Sequence, residues 1–357
     1  MEFAQTQRLL LAKQLLTDTR MPVTEVAFSA GFGSLRRLNA LFHERYRLSP
    51  RQLRKNPKRD VREDALRFEL SFRPPYDWAG FVHFLEMRCI RCVDEVDGAR
   101  YRRIVRLTRD GKTHSGWIEI GLNDGKASLE VFVSNSLKKV LPAVLARVKN
   151  LTDVCCNPAE INERLGILSA ANPGLRVPGT FDGFEIAVRA ILGQQVSVKA
   201  ARTLLGRFVE RFGANQLCGV GGLTNAFPLA EEIATLPYAE VAELGMPETR
   251  AVSVVEMAKA VANGFVSLSP GVDVEDATEK MRSLPGIGDW TAQYIAMRAL
   301  GWPDAFPHTD LGVMRAMGER NPRRVLAAAE CWRPWRAYAV LHLWNGGNCN
   351  GSVSRSA

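Results

Sequence analysis

The spacing of apolar residues changes twice along the 357-residue chain. Residues 8–46 carry apolar side chains at helical spacing. Residues 65–78 and 101–136 instead show alternating apolar residues, bounded by Asp-Gly and Asn-Asp-Gly turns that indicate antiparallel hairpins. From about residue 156 the strand signals end and helical segments follow one another. The pattern predicts an α+β multidomain protein: a helical module at 1–59, an antiparallel α+β domain at 67–155 and an all-α body at 156–357.

Charge is distributed unevenly among these regions. Residues 1–59 hold 12 Lys and Arg against 4 Asp and Glu, whereas the rest of the chain holds 35 against 34. We therefore expect the first module to meet a polyanion through charge, and the body to bind any such partner by other means.

Other features limit the class of protein. No apolar run approaches the roughly 20 residues of a membrane span, and the N-terminus lacks signal-peptide features, so no membrane partner and a cytoplasmic location are expected. Seven scattered cysteines read as reduced thiols, and the pair Cys89 and Cys92 has no second pair at zinc spacing, so no metal is expected. No glycine-rich phosphate loop follows a strand, so no cofactor is indicated.

Two short helices in the first module are placed to cross closely. Ala27 and Gly31 stand four residues apart around a turn, which is typical of a helix-turn-helix. In the helix after it, Arg36, Arg37 and Asn39 lie off the apolar face and could contact bases and phosphates in a major groove. A solvated amphipathic helix is the alternative.

The stretch AGFGSLRRLNALFHERYRLSPRQLRK resembles the second helix-turn-helix of AraC-type DNA-binding domains, over about residues 8–55. Such domains carry two of these units, and here there is one. The polar segment RKNPKRDVRED at 54–64 is predicted to be a linker.

A glycine-containing turn, LPGIGDW, follows a helix in the last quarter of the chain. Its residues are Leu284, Pro285, Gly286, Ile287 and Gly288. The two glycines allow close approach of a ligand and expose backbone N–H groups at the start of the next helix, so the turn could bind a phosphate without Lys or Arg. A plain turn between two helices is the alternative.

The next helix places Trp290 and Tyr294 on one face, one turn apart. Asp310 follows a loop that contains Pro303 and Pro307, and it precedes another helix. The ordinary roles for these residues are core packing and helix capping.

Together these features resemble the helix-hairpin-helix DNA glycosylases with a Gly/Pro-rich loop and a catalytic Asp, and within them the AlkA family. The segments that carry the resemblance are RPPYDW (73–78), CNPAEINERLG (156–166), NPGLRVPG (172–179), FEIAVRAILGQQVSV (184–198), LPGIGDWTAQYIAMRALG (284–301), Asp310 and WRPWRAYAVLHLW (332–344). The resemblance implies an α+β domain beside a helical body, with the active-site cleft between them.

The resemblance also implies roles for single residues. Asp310 would be the catalytic carboxylate, Trp290, Tyr294 and Trp344 would wall the base pocket, and residues 284–288 would grip DNA. Gln195 would enter the gap left by a flipped nucleotide, where a simple surface-loop cap is the alternative. The implied activity is excision of alkylated bases from double-stranded DNA by a monomer without metal or cofactor.

Two relatives within that superfamily differ from this sequence. Members that also nick DNA carry a Lys where this chain has Trp290, so an intact abasic site is the expected product. Iron–sulfur members carry four closely spaced cysteines after the catalytic region, where this chain has Cys331 and Cys349. The competing hypothesis is an AraC/Ada-type transcriptional regulator with a glycosylase-like body. A helix-turn-helix fused to such a glycosylase body also resembles the Ada-AlkA fusion proteins. With one unit present, either the chain is a fragment of a longer protein or the helix-turn-helix serves only as a non-specific DNA tether.

Overall fold

The computed structural model describes residues 2–18, 21–53, 64–216 and 220–346. The predicted linker at 54–64 lies outside these residues except for Asp64, and Cys218 and Cys349 lie outside them as well. None of the described helices combines the length and the apolar character that a membrane crossing requires.

The N-terminal module is a helix-turn-helix, as the sequence predicts. Its helices are α1 Glu2–Asp18, α2 Val23–Ser29, α3 Leu35–Tyr46 and α4 Pro50–Leu53. Gly31 in the turn has a φ of +84°, which a glycine adopts without strain. The Ser34 hydroxyl accepts from the Arg37 amide at 3.2 Å, so it caps α3, and serine is a favoured residue at that position.

The module packs on the antiparallel sheet domain through apolar contacts. Leu15, Ala27 and Phe42 are fully buried, and they belong to one continuous cluster that extends into the core of the sheet domain. Helix α2 contacts the 3-10 turn Asn135–Val140. The module is therefore docked on the sheet domain through its apolar residues.

A five-stranded antiparallel sheet forms the second unit, in the order β1-β5-β4-β3-β2. Its strands are β1 Ala65–Ser71, β2 Asp94–Asp97, β3 Arg100–Arg109, β4 Lys112–Leu122 and β5 Ser128–Ser134. Asp110 and Gly111 both have positive φ in the β3–β4 turn, which is the backbone of a tight hairpin. Helices α5 Trp78–Glu86 and α6 Leu141–Thr152 pack their apolar faces into the core cluster of this sheet.

The third unit is helical. Its helices are α7 Pro158–Leu165, α8 Gly183–Leu192, α9 Val198–Phe212, α10 Ala230–Ile233, α11 Tyr238–Ala242, α12 Glu248–Ala262, α13 Val274–Arg282, α14 Asp289–Ile295, α15 Leu311–Met317, α16 Pro322–Ala328 and α17 Arg336–Trp344. A short antiparallel pair, β6 Ala214–Asn215 and β7 Asn225–Ala226, departs from an all-helical description. Two-residue strands leave no alternating pattern in a sequence, so they could not be predicted.

Helix α8 lies at the centre and joins the two larger units. The buried Glu185 carboxylate accepts from Arg103 of β3 at 2.5 Å and from Arg189 at 2.9 Å. Burial alone would lower the pKa of Arg103, but the charge of Glu185 more than offsets it and holds that pKa above its usual value. The pair therefore stays ionised, and it fixes the sheet against the helical body.

Candidate active site

Asp310 begins helix α15 at one end of a cleft. Its carboxylate Oδ1 accepts from the Val313 amide at 2.9 Å, so the side chain is an N-cap, as its position in the sequence suggests. The residue is only partly buried, so the same carboxylate also faces the cleft.

Two indole groups converge on this carboxylate from distant parts of the chain. Trp290 in α14 donates from Nε1 to Asp310 Oδ2 at 2.9 Å. Trp344 at the end of α17 donates from Nε1 to Asp310 Oδ1, also at 2.9 Å. The structure thus brings together the carboxylate and two of the three aromatic residues that the resemblance assigns to the pocket.

The third aromatic residue, Tyr294, lies next to both indoles. Its ring stacks on that of Trp290 with centroids 5.3 Å apart and planes 14° apart, and its centroid is 6.4 Å from that of Trp344. No gap for a planar base exists between Trp290 and Tyr294 because their rings already touch. A base can stack only on the faces that this aromatic wall turns toward the cleft.

Arg298 supports the wall from behind, a role that the sequence analysis did not predict. Its guanidinium is buried and donates to the Tyr294 hydroxyl at 2.9 Å and to the carbonyls of Pro178 and Gly179. Burial lowers the pKa of Arg298, and these three described partners are all neutral oxygens. The spacing of four residues from Tyr294 on one helix face was the available signal.

In the predicted hairpin, two apolar side chains pack on the core and the other residues are exposed. Ile287 is buried in the core and Leu284 packs against it, whereas Pro285, Gly286 and Gly288 are exposed. Gly286 has a φ of +73°, and a Cβ there would collide with the Ser253 hydroxyl. Within the described part of the chain, the amides of Gly286 and Gly288 have no hydrogen-bond acceptor. Both N–H groups are therefore available to an anion.

The loop between α8 and α9 is tied to this hairpin by Gln194. Its Nε2 donates to the Gly286 carbonyl and to the Thr291 hydroxyl, both at 3.0 Å. The backbone carbonyl of Gln194 accepts a hydrogen bond from the Arg250 guanidinium at 2.8 Å. Sequence reasoning had assigned no role to Gln194.

Gln195, the predicted wedge, stands at the tip of the same loop. It is exposed and has a φ of +55°, a left-handed conformation that few residues other than glycine adopt. Ser197, and not Gln195, caps α9 by accepting from the Ala200 amide at 3.2 Å.

The cleft itself has a volume of about 1330 Å³. Its lining includes Gln195, Gly286, Gly288, Trp290, Tyr294, Asp310 and Trp344. Among the described residues that line it, Asp310 is the only acidic one, beside the arginines Arg88, Arg189, Arg202 and Arg315. A smaller cavity of about 550 Å³ lies between α6 and the helical body and contains none of the predicted site residues.

The helix-turn-helix residues form a separate surface. Arg36, Arg37 and Asn39 are all exposed on α3, as predicted, and none of them lines the cleft. The structure therefore contains two candidate DNA-binding surfaces, and the candidate catalytic residue Asp310 lies in the cleft.

An aromatic wall, one carboxylate and an exposed glycine hairpin on a helical body are the features that the resemblance to the helix-hairpin-helix DNA glycosylases implies. Family models agree: residues 188–326 match the HhH-GPD superfamily base excision DNA repair proteins, 67–182 the AlkA N-terminal domain, and 1–56 a helix-turn-helix domain.

Similarity to known proteins identifies the family within this class. DNA-3-methyladenine glycosylase 2 of Escherichia coli is 34% identical over 283 residues, which cover 78% of this chain and 96% of that protein. The "Probable bifunctional transcriptional activator/DNA repair enzyme AlkA" of Mycobacterium tuberculosis is 34% identical over 371 residues, 96% of this chain and 70% of that protein. The solved 3-methyladenine DNA-glycosylase of Archaeoglobus fulgidus has the same fold, with a TM-score of 0.65 at 24% identity over 78% of this chain and 97% of that one. The chain belongs to the DNA-3-methyladenine glycosylase 2 family.

Proposed function

We propose that this protein is a monofunctional DNA glycosylase that removes alkylated bases such as 3-methyladenine from double-stranded DNA. The observation that carries the proposal is the placement of the Asp310 carboxylate against an aromatic wall, in a cleft where no other described lining residue is acidic. A base inside duplex DNA cannot reach that wall, so the nucleotide must be flipped out of the stack, which costs least at a damaged pair.

The wall and the carboxylate suit a cationic base. An alkylated purine is electron-poor and positively charged, so it stacks on Trp and Tyr faces with a cation–π attraction of about 1–2 kcal/mol. The same positive charge weakens the glycosidic bond, because the base departs as a neutral molecule with the bonding electron pair. No general acid is then needed, and one carboxylate can do what other glycoside hydrolases do with two.

Asp310 acts on the sugar that remains. Its negative charge stabilises the oxocarbenium-like centre at C1′ and orients the attacking water. The water adds its hydroxyl to C1′, and its proton passes by way of the carboxylate to solvent. Trp290 stands where DNA-nicking relatives carry a Lys, and an indole cannot form a Schiff base, so the product is an intact abasic site.

The hairpin and the loop tip are the parts proposed to hold the duplex open. The free amides of Gly286 and Gly288 bind a phosphate, and Gln195 enters the space that the flipped nucleotide leaves. The Gln195 amide can both donate to and accept from the orphaned partner base. We expect the protein to act as a monomer.

Base release from defined duplexes tests the proposal. Duplexes that each carry one alkylated base are incubated with the protein, and both the freed base and the strand breaks are quantified with and without alkali. We expect release of free base and strand breaks only after alkali. Absence of free base from every alkylated duplex would contradict the glycosylase, and breaks without alkali would contradict its monofunctional character.

A regulatory role is the second candidate, and the helix-turn-helix supports it. Residues 1–56 match a helix-turn-helix family, and Arg36, Arg37 and Asn39 are exposed on its second crossing helix. The M. tuberculosis relative is described as a bifunctional transcriptional activator/DNA repair enzyme. Sequence-specific binding of promoter DNA at physiological salt would support this role, whereas equal affinity for all duplexes would leave the module as a non-specific DNA tether.

A further inference from the structure

The two oxygens of Asp310 have different surroundings. Oδ1 accepts two hydrogen bonds, from the Val313 amide and from Trp344 Nε1, each at 2.9 Å. Oδ2 accepts one, from Trp290 Nε1 at 2.9 Å. A carboxylate oxygen offers about two acceptor sites, so Oδ1 is saturated and Oδ2 retains a free site.

Gly312 leaves the space in which this arrangement fits. A Cβ at this position would lie 3.0 Å from Asp310 Oδ1, 3.1 Å from Trp344 Cδ1 and 3.3 Å from Trp344 Nε1. Gly312 is not among the glycines with positive φ, so the backbone of α15 does not itself require glycine here. A larger residue would press on the hydrogen bond between Asp310 and Trp344, and one of these side chains would have to shift by a few tenths of an ångström.

The close contacts that an added Cβ would make at Gly312 do not occur at the glycine within α9. Gly206, within α9, has no atom within 4 Å of the position that its Cβ would take, and it does not line the cleft. The described chain thus offers one helical glycine at which an added Cβ would meet the carboxylate and a second at which it would meet no atom.

We propose that Trp290, Trp344 and Gly312 are positioning residues that hold the Asp310 carboxylate with Oδ2 directed at the reacting sugar. The proposal rests on the glycosylase function and adds a second role for the two indoles. Their ring faces contact the base, while their N–H edges hold the carboxylate. Fixed donors of this kind replace the water that leaves when DNA closes the cleft, so the charge stays oriented without reorganisation during the reaction.

Phenylalanine substitutions separate the two roles of the indoles. Trp290→Phe and Trp344→Phe keep an aromatic face and delete the N–H donor. Loss of a hydrogen bond to a charged group predicts a fall of about 10- to 100-fold in the single-turnover excision rate for each variant, with DNA affinity within about twofold of the parent.

Gly312→Ala tests the same point without touching an aromatic residue. We expect at least a tenfold loss of excision rate with DNA binding retained and a thermal midpoint close to that of the parent, since alanine favours a helix. Gly206→Ala is the matched control and should excise at the parent rate. A thermal midpoint that falls together with the rate in Gly312→Ala would show a structural role and contradict the proposal for that residue.

Asp310→Asn distinguishes failure of this proposal from failure of the proposed function. If Asp310→Asn abolishes excision while Trp290→Phe, Trp344→Phe and Gly312→Ala keep the parent rate, the positioning proposal is wrong and the glycosylase assignment stands. If Asp310→Asn itself excises at the parent rate, the catalytic assignment is wrong.

Discussion

Gly288→Ala separates DNA contact from folding at the hairpin. Gly288 has a φ of −85° and a ψ of 178°, which any residue adopts, and a Cβ there would meet no atom within 4 Å. Alanine restricts the unfolded chain, which stabilises by about 0.4–1 kcal/mol, and it is a poorer N-cap than glycine by a similar amount. The two effects nearly cancel, so the free energy of unfolding should change by less than about 1 kcal/mol.

Gly288→Ala should change DNA affinity more than it changes stability. The added methyl group stands beside the free Gly288 amide and keeps a phosphate from reaching it. A hydrogen bond to a charged group contributes about 1.5–3 kcal/mol, so its loss predicts roughly 10- to 100-fold weaker binding. Gly286→Ala is the contrasting variant, because its φ of +73° and its collision with Ser253 should cost about 2–5 kcal/mol of stability.

Two measurements test the variants Gly288→Ala and Gly286→Ala. Fluorescence anisotropy on a short duplex gives the dissociation constant, with Asp310→Asn in the background to prevent turnover, and thermal melts give stability. Gly288→Ala should bind weakly and melt normally, while Gly286→Ala should melt at a lower temperature. Parent-like DNA affinity in Gly288→Ala would refute the hairpin as a phosphate site.

Three further predictions concern the wedge, the basic module and the response to pH. Gln195→Ala should slow excision from a paired lesion much more than from a mismatched one, where little stacking must be replaced; equal losses on both would exclude a wedge. Replacing Arg36 and Arg37 together with Gln should reduce the slope of log Kd against log salt by about 1.8, while excision at saturating protein stays unchanged; an unaltered slope would show that neither contacts phosphate. Burial lowers the pKa of His342 to about 4, so between pH 6.5 and 4 the unfolded state binds a proton that the folded state does not. The free energy of unfolding should therefore fall by up to about 3 kcal/mol as pH drops from 6.5 to 4. Urea unfolding of His342→Gln, which cannot titrate, should lack this loss.

Local signals account for what the sequence predicted. Ser34 and Asp310 both occupy the N-cap positions that their residue types favour, and the Asp-Gly pair at 110–111 forms the predicted hairpin turn. Trp290 and Tyr294 lie together because side chains four residues apart share a helix face. Each of these features depends on a few neighbouring residues.

What the sequence could not predict depends on how distant segments close on one another. The N–H group of Trp344 meets Asp310 across 34 residues, and Gln194 meets the hairpin across 92. The docking of α2 against the turn Asn135–Val140 is of the same kind. Such contacts depend on the direction of each side chain and on the distance between distant segments. The spacing of residue types along the chain specifies neither the direction nor the distance.

Single-turnover excision by Asp310→Asn on a duplex with one alkylated base tests the central claim most directly. The substitution removes the charge and keeps the size of the side chain, so DNA affinity should stay within a few-fold of the parent. An electrostatic catalytic group in a closed site contributes about 3 kcal/mol or more, which predicts a loss of at least 100-fold in the rate of base release. An excision rate within tenfold of the parent would contradict the assignment of Asp310 as the catalytic carboxylate.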